Sequence, residues 1–136
     1  MAQETTLVMI KPNAVRKNVI GKILDRFESA ELRIAEARLE RMSEEKCEAF
    51  YSEHDGQPFF SRLIRFMASG PTMLIALEGE NAISRARELM GNTDPEKAAQ
   101  GTIRADFADN VTENAVHGSD SAESARRELD FHFSCT

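Results

Sequence analysis

Residues 5–10 (TTLVMI) form a short β-prone run that Lys11 ends. Apolar side chains at successive positions point to both faces of a strand, which predicts a central strand covered on both sides. A second run of this kind, Thr72–Leu77, is bounded by turn-forming residues. Two buried strands in a chain that also has helical segments predict a mixed α/β domain.

Helical periodicity occurs in two segments around these strands. The first segment repeats apolar residues at the spacing i, i+3, i+4, i+7, namely at Ile20, Ile23, Leu24 and Phe27. The second segment, residues 83–90, stops at Gly91, a residue suited to ending a helix. Asp94-Pro95 predicts one more short helix, with proline at its first position.

Residues 33–42 fit two interpretations. Small or apolar side chains alternate with charged ones, which is typical of a strand with one wet face. The composition, rich in Ala, Glu, Arg and Leu, favours a helix instead. The segment Ser43–Lys46 resembles a fresh helix start, and this favours a strand before it.

The bulk composition restricts the class of protein. The chain has 136 residues, 29% charged and 41% hydrophobic, which fits one globular domain over residues 1–136. A formal net charge of −6 argues against a dedicated nucleic-acid binder. A local cation cluster could still hold a small anion, because charges are screened beyond about 8 Å.

The chain shows no sign of a membrane or secreted protein. No run approaches the roughly 20 apolar residues of a membrane span, and residues 1–4 do not resemble a secretory signal. Cys47 and Cys135 lie far apart without metal-like spacing, which favours two free thiols. These features together predict a cytoplasmic protein.

The run Asn114–Asp120 (NAVHGSD) carries the strongest chemical signal. It predicts His117 in a tight turn, relaxed by glycine, at the start of a helix. A free imidazole is largely unprotonated at neutral pH, so a histidine held in this way suits nucleophilic catalysis.

The helix after this run supplies a carboxylate. Asp120 is its predicted N-cap, with Glu123 at the third helical position. Its predicted buried stripe consists of Ala122, Ala125 and Leu129. Helical side chains lean toward the N-terminus, so we expect Glu128, beside the stripe, to point back toward His117.

Eight segments, in order along nearly the whole chain, resemble nucleoside diphosphate kinases of the bacterial type. They are residues 10–15, 50–54, 58–60, 69–71, 87–91, 93–95, 101–106 and 114–120. One such segment would be a weak signal, but the ordered set ending in His-Gly-Ser-Asp is specific. The resemblance implies an α/β (α+β) fold, a ferredoxin-like antiparallel sheet sandwich with helices on its faces.

The resemblance also implies a reaction. His117 would take the γ-phosphate of a nucleoside triphosphate, typically ATP, and a nucleoside diphosphate would then remove it in a ping-pong cycle. Glu128 and Ser119 resemble the groups that orient this histidine, since a carboxylate bonded to a ring N–H fixes the tautomer. Without the resemblance, Glu128 could be a solvated helix residue and Ser119 only a cap.

Cationic and polar residues would bind the nucleotide. By the same resemblance Lys11, Arg87 and Arg104 face the phosphates, where arginine can make two-point contacts. Lys11 and Asn114 would also reach the ribose. The alternative for each cation is ordinary surface charge.

Hydroxyl and apolar side chains complete the implied nucleotide site. Thr93 and Tyr51 would donate to the phosphates, with the Tyr51 hydroxyl close to the histidine; alternatively Thr93 caps a helix and Tyr51 is core. Phe59 and Val111 resemble the pair that encloses the base. Apolar stacking does not distinguish one base from another, which predicts broad base specificity.

Magnesium (Mg2+) is expected on the nucleotide phosphates, and no protein ligand for it is predicted. His54 and His132 have no supporting constellation, so structural or solvent-facing roles are expected. The family implies a homo-oligomer built from dimers. Two alternatives stay open: a catalytically silent nucleotide-binding protein of the same fold, and a regulatory or scaffold domain with no ligand.

Overall fold

The computed structural model describes residues 3–133, and a four-stranded sheet lies at its centre. The strands are β1 (Gln3–Ile10), β2 (Arg33–Glu40), β3 (Thr72–Glu80) and β4 (Val116–Gly118). They lie in the order β2-β3-β1-β4, and each neighbouring pair is antiparallel. The ferredoxin-like antiparallel sandwich implied by the resemblance is confirmed.

Seven helices lie within residues 3–133, and a single 3₁₀ turn covers Ser52–His54. The helices are α1 (Pro12–Arg16), α2 (Ile20–Ser29), α3 (Glu44–Phe50), α4 (Phe60–Met67), α5 (Ala82–Met90), α6 (Ile103–Phe107) and α7 (Ala122–Phe133). Over the same residues, no helix combines the length and apolar character needed to cross a bilayer.

The side-chain alternation of β1 divides the core between the two faces of the sheet. Val8 and Ile10 pack into a cluster with residues of α2, α5 and β3. Leu7 and Met9 pack into a second cluster with α3 and α4. Because both faces of β1 are covered, its end at Lys11 lies inside the protein, where a ligand can be shielded from water.

The ambiguous segment at residues 33–42 is strand β2. It pairs with β3 along its whole length, with one irregularity between Ile34 and Glu36. Pairing with β3 therefore outweighs the helical preference of its composition. The Ser43 hydroxyl accepts the Lys46 N–H at 3.1 Å, which confirms the predicted helix start after the strand.

The predicted helix at Asp94-Pro95 is wrong. The segment forms isolated turns, in which the Lys97 N–H donates to the Asp94 carbonyl at 3.0 Å and the Glu96 N–H donates to the Asp94 carboxylate at 3.0 Å. Here the aspartate satisfies the local backbone as a turn residue, an alternative to helix that short polar side chains offer.

The predicted start and buried stripe of α7 are also corrected. Ser121 rather than Asp120 caps the helix: it and Ser124 exchange side-chain bonds with each other's N–H at 3.0 and 3.1 Å. Ala122 is exposed, and the buried face includes Ser124, Ala125, Glu128 and His132. Glu128 thus lies on the buried face itself. A carboxylate is accommodated there because part of this face borders the polar cavity rather than the apolar core.

His117 lies in strand β4, not in a turn at a helix start as the sequence predicted. The neighbouring Gly118 serves close packing: a β-carbon there would lie 2.8 Å from the Met90 Cε atom. A side chain at residue 118 would therefore displace the end of the Met90 side chain on α5. The turn that orients the histidine precedes the strand.

Candidate active site

One cavity of about 760 Å³ brings together nearly all the predicted site residues. It opens beside the end of β1, along β4 and near the first turns of α7. Its lining includes Lys11, Tyr51, Phe59, Arg87, Thr93, Arg104, Val111, Asn114, His117 and Glu128. Ser119 does not line the cavity but binds Glu128 from behind, with its hydroxyl 2.7 Å from the carboxylate.

A chain of hydrogen bonds fixes the orientation of His117. The His117 Nε2 atom lies 2.9 Å from the Glu128 Oε1 atom. The Ser119 hydroxyl donates to the same oxygen and accepts the Leu7 N–H at 3.3 Å. The carboxylate is thereby tied to the backbone of central strand β1, so the imidazole cannot rotate without breaking a buried network.

Glu128 is a carboxylate that stays ionised despite its burial. Burial alone raises its pKa, but the hydrogen bond and charge of His117, followed by the Ser119 hydrogen bond, lower the pKa below the usual value. An ionised carboxylate only accepts hydrogen bonds, so Nε2 carries the ring proton. The lone pair of a neutral imidazole then lies on Nδ1, free for a ligand.

Lys11 lies buried at the end of β1, only 7% exposed. Its ammonium donates to the Asn114 Oδ1 atom at 2.9 Å, and the Asn114 amide donates to the Thr93 carbonyl at 3.3 Å. Burial, and secondarily the charge of Arg104, lower the pKa of Lys11 to about 7. Buried ammonium groups are usually paired with a carboxylate, but none of the described residues provides one for Lys11.

Arg87 and Arg104 attach to the backbone beside His117. Arg104 donates to the Val116 carbonyl at 2.9 Å, and Arg87 donates to the Gly118 carbonyl at 2.8 Å. Burial, and then the charge of Arg87, lower the pKa of Arg104 to about 10. Both guanidinium groups reach the cavity from carbonyls that flank the histidine.

Four cations line the cavity: Arg127 and the three that the sequence predicted, Lys11, Arg87 and Arg104. Among residues 3–133, neither Lys11 nor Arg87 nor Arg104 forms an ion pair with a carboxylate. Lys11 and Arg104 are buried, and burying positive charge without a partner is unfavourable. Arg87 is exposed, and after the Ser124 hydrogen bond its charge helps to lower the pKa of Asp120. The arrangement is therefore suited to a polyanionic ligand that enters from solvent, and phosphate groups match the geometry of guanidinium donors.

Two further polar residues contribute to the lining. The Tyr51 hydroxyl is buried and has no hydrogen-bond partner among the described residues. Burial raises its pKa, so the phenol keeps its proton as a donor. Tyr51 packs edge-on against Phe50, and Phe50 in turn contacts the His117 ring at 5.6 Å between centroids.

The mouth of the cavity is apolar. Phe59 and Val111 line the cavity and are 44% and 55% exposed, although large hydrophobic side chains are usually buried. Phe60, by contrast, is partly buried against the core, so one of the two adjacent phenylalanines packs inside as expected. The exposed pair offers faces on which a flat ring could stack.

Sequence reasoning gave His54 no functional position, yet His54 lines the cavity. Its ring lies 5.5 Å from the Phe59 ring and 6.3 Å from the Tyr51 ring, measured between centroids. The sequence signal that could have placed His54 there is its three-residue spacing from Tyr51, because residues i and i+3 share one face of a 3₁₀ turn.

His132 is buried against Phe50, and burial lowers its pKa to about 4.

Comparison with known proteins agrees with this geometry. Residues 4–136 match the family model of nucleoside diphosphate kinases. The chain is 60% identical over 133 residues to a nucleoside diphosphate kinase of Paracidovorax citrulli, covering 98% of this chain and 94% of that protein. The chain belongs to the nucleoside diphosphate kinase family. It is also 55% identical over 133 residues to nucleoside diphosphate kinase 2 of Protochlamydia amoebophila, covering 98% of this chain and 93% of that one.

Solved structures of the family share the fold. The Aquifex aeolicus nucleoside diphosphate kinase superposes with a TM-score of 0.95 at 46% identity, covering 98% of this chain and 96% of that one. The apo enzyme of Encephalitozoon cuniculi superposes with a TM-score of 0.94 at 36% identity, covering 97% and 90% of the two chains. Nearly the full length of each relative is therefore represented here.

The pKa of Lys11 predicts that anion binding takes up a proton. A bound phosphate favours the charged ammonium, so the affinity for ADP should weaken as the pH rises through about 7 toward 9. One linked proton changes Kd by up to about tenfold per pH unit. Calorimetric titration with ADP in buffers of different ionisation enthalpy measures both effects.

Lys11→Arg provides the matched control, because arginine keeps its charge over this range. Its ADP affinity should vary much less between pH 7 and 9. A wild-type Kd that stays constant over the same interval would contradict the assignment.

Removal of the Glu128 carboxylate should slow the chemistry. Glu128→Ala should lower kcat on the order of 10–100-fold, since the imidazole loses its orienting partner. Asp130→Ala, an exposed acid on the same helix, should have little effect. Steady-state kinetics of γ-phosphate transfer distinguish the two, and equal rates for both variants would refute the orienting role.

Proposed function

We propose that this chain transfers the γ-phosphate of a nucleoside triphosphate to a nucleoside diphosphate through phosphorylated His117. The observation that carries the proposal is the free Nδ1 of His117 in one cavity with Lys11, Arg87 and Arg104, none of which pairs with a carboxylate within residues 3–133. A nucleophile held among unpaired positive charges suits an electrophile that carries several negative charges. Phosphoryl transfer needs positioning and charge stabilisation more than acid–base chemistry.

In the first half of the reaction, the Nδ1 lone pair forms a bond to the γ-phosphorus. The bond from phosphorus to the bridging oxygen breaks, and its electron pair leaves with the nucleoside diphosphate. The ring becomes positively charged and keeps its Nε2 proton, which Glu128 stabilises. A second nucleoside diphosphate then attacks the phosphohistidine with a terminal phosphate oxygen, which reverses these bond changes.

The cations hold the phosphates during both halves. Arg87 donates to the Gly118 carbonyl, and Arg104 donates to the Val116 and Gly91 carbonyls, which leaves further N–H groups on each guanidinium. Lys11 and Asn114 form the inner end of the cavity, where the polar part of the nucleotide would lie. Tyr51 and Thr93 supply further hydroxyl groups to the same lining.

The apolar mouth supports broad use of bases. A base between Phe59 and Val111 would contact apolar surface on its faces, and every nucleobase offers such a face. The proposed substrates are therefore nucleoside di- and triphosphates as a class, without a role for nucleic acid or membrane.

Magnesium fits this site as part of the nucleotide. Among residues 3–133, no three His, Cys, Asp or Glu side chains are placed to hold a metal together. Single carboxylates, including Glu53 and Asp120, do line the cavity and could meet a hydrated ion. Mg²⁺ on the phosphates would neutralise developing charge while the chain's own residues orient the nucleotide and the histidine.

The labelling experiment tests the mechanism directly. Purified chain incubated with γ-labelled ATP and magnesium, without acceptor, should acquire stoichiometric acid-labile label that a cold nucleoside diphosphate removes. His117→Ala should acquire none while still binding ADP, and chelating the magnesium should strongly slow labelling of the wild type. An unlabelled wild type that binds nucleotide would favour the silent binding protein.

We also propose that the chain forms a homo-oligomer. Strand β2 lies at the edge of the sheet among the described residues and exposes Leu39, which is 52% accessible. An unpaired edge with apolar residues is a template for pairing with another chain.

The single domain over residues 1–136 and the cytoplasmic location stay predictions.

The oligomeric state can be tested at this edge. Light scattering after gel filtration should give a multiple of the 15.2 kDa chain mass for the wild type. Leu39→Arg should shift the population toward smaller species, whereas Ser61→Arg, an exposed position on α4, should not. A wild type that is monomeric at micromolar concentration would refute the proposal.

A further inference from the structure

The side chains of Asn114 and His117 line the same cavity, although an extended strand would separate them. In a strand, successive side chains alternate between faces, so residues three positions apart point to opposite sides. The Lys11–Asn114 contact and the nucleophile would then lie on different faces of the sheet. A break in the alternation between these two residues is required.

The break is a γ-turn centred on Ala115. The Val116 N–H donates to the Asn114 carbonyl at 2.9 Å, closing a three-residue turn. Ala115 has φ of +74°, the form of γ-turn that is rare and strained for a residue with a side chain. Such strain persists only where the surroundings determine the conformation, and it concentrates at functional sites.

The surroundings of Ala115 do determine its conformation. Its carbonyl accepts the Lys11 N–H at 2.8 Å, which extends the pairing of β4 with β1 by one residue. On one side of the turn, the Asn114 side chain binds Lys11 and the Thr93 carbonyl. The methyl group of Ala115 is fully buried in the core cluster that also contains Val116. The turn is therefore held at both ends and in the middle.

We propose that Ala115 is a positioning residue whose strained γ-turn brings Asn114 and the His117 nucleophile to one cavity and fixes their relative aim. The inference rests on the proposed phosphotransfer, which it deepens. Ala115 is fully buried and is not among the residues that line the cavity, so it would contact neither the substrate nor the reacting atoms. It acts through the backbone: the limited dihedral angles open to residue 115 fix the orientation of strand β4, which carries the histidine.

Alanine and glycine differ at this position in a way that an experiment can use. Glycine adopts positive φ without strain, but it also adopts many other conformations. Ala115→Gly therefore removes both the strain and the restriction. If restriction aims the histidine, the variant should fold normally and react slowly.

The experiment compares Ala115→Gly with Ala82→Gly. Ala82 is a fully buried alanine of the same core cluster, so its variant loses the same methyl group from a residue that begins helix α5. Rapid-quench labelling with γ-labelled ATP gives the rate of histidine phosphorylation, calorimetry gives the Kd for ADP, and thermal unfolding gives Tm. Ala115→Ser, which keeps a β-carbon, tests rescue by a conservative change.

Ala115→Gly should lower the phosphorylation rate roughly 10–100-fold, the scale expected for small misplacement of reacting groups. Its Kd for ADP should change by less than about threefold, because the cations hold the phosphates. Ala82→Gly should react at the wild-type rate with the larger fall in Tm, since strain relief offsets methyl loss only at residue 115. Ala115→Ser should react faster than Ala115→Gly.

Three results would overturn the inference. The first is a wild-type phosphorylation rate in Ala115→Gly, and the second is an equal loss of rate in Ala82→Gly. The third is an Ala115→Gly chain that fails to fold while Ala82→Gly folds, which would make the turn a folding determinant. A wild type that takes no label would refute the proposed function itself, so the two failures are distinguishable.

Discussion

The antiparallel pairing of β4 with β1 is the constraint on which the rest of the site depends. β4 has only three residues, and its register against β1 places His117 opposite Met9. That register delivers the Val116 and Gly118 carbonyls to Arg104 and Arg87. It also brings Ser119 to the Leu7 N–H, and through Ser119 it fixes Glu128. A shift by one residue would reverse every side chain of the strand and dissolve the constellation.

The buried positive charges of the cavity lower the stability of the folded protein, since a stable core would pair them with carboxylates or exclude them. Burial lowers the pKa of both Lys11 and Arg104, with a further contribution from Arg104 at Lys11 and from Arg87 at Arg104. No carboxylate of the described chain forms an ion pair with either. The protein tolerates this because its covered sheet supplies two apolar clusters on which the surrounding elements are built. In the proposed nucleotide complex, phosphate oxygens would compensate this buried charge, so relief of the destabilised empty site would contribute to the binding free energy.

The sequence predicted the elements with strong periodicity and missed those defined by tertiary contacts. β1, β3, α2 and α5 carry their patterns over enough residues to be recognised, and Ser43 resolved the doubtful strand β2. The antiparallel, ferredoxin-like arrangement of the sheet came from the family resemblance, because spacing supports only a mixed α/β domain. β4 is too short for periodicity, and the Asp94 turns and the Ser121 cap depend on local side-chain bonds that several polar residues could have made. His54 was overlooked because a single 3₁₀ turn leaves little trace in sequence.

Arg87 and Arg104 each bind a carbonyl of the strand that carries His117, and the same two side chains face the cavity. Clamp and nucleophile are consequently parts of one mechanical unit. Because the guanidinium groups are bonded to the strand, we expect a displacement of the strand to carry them with it. A phosphate bound by these arginines, as proposed, would therefore move together with His117. Alignment of the phosphate with the His117 nitrogen would therefore not require an immobile strand. It would require only that the strand and the two arginines move together.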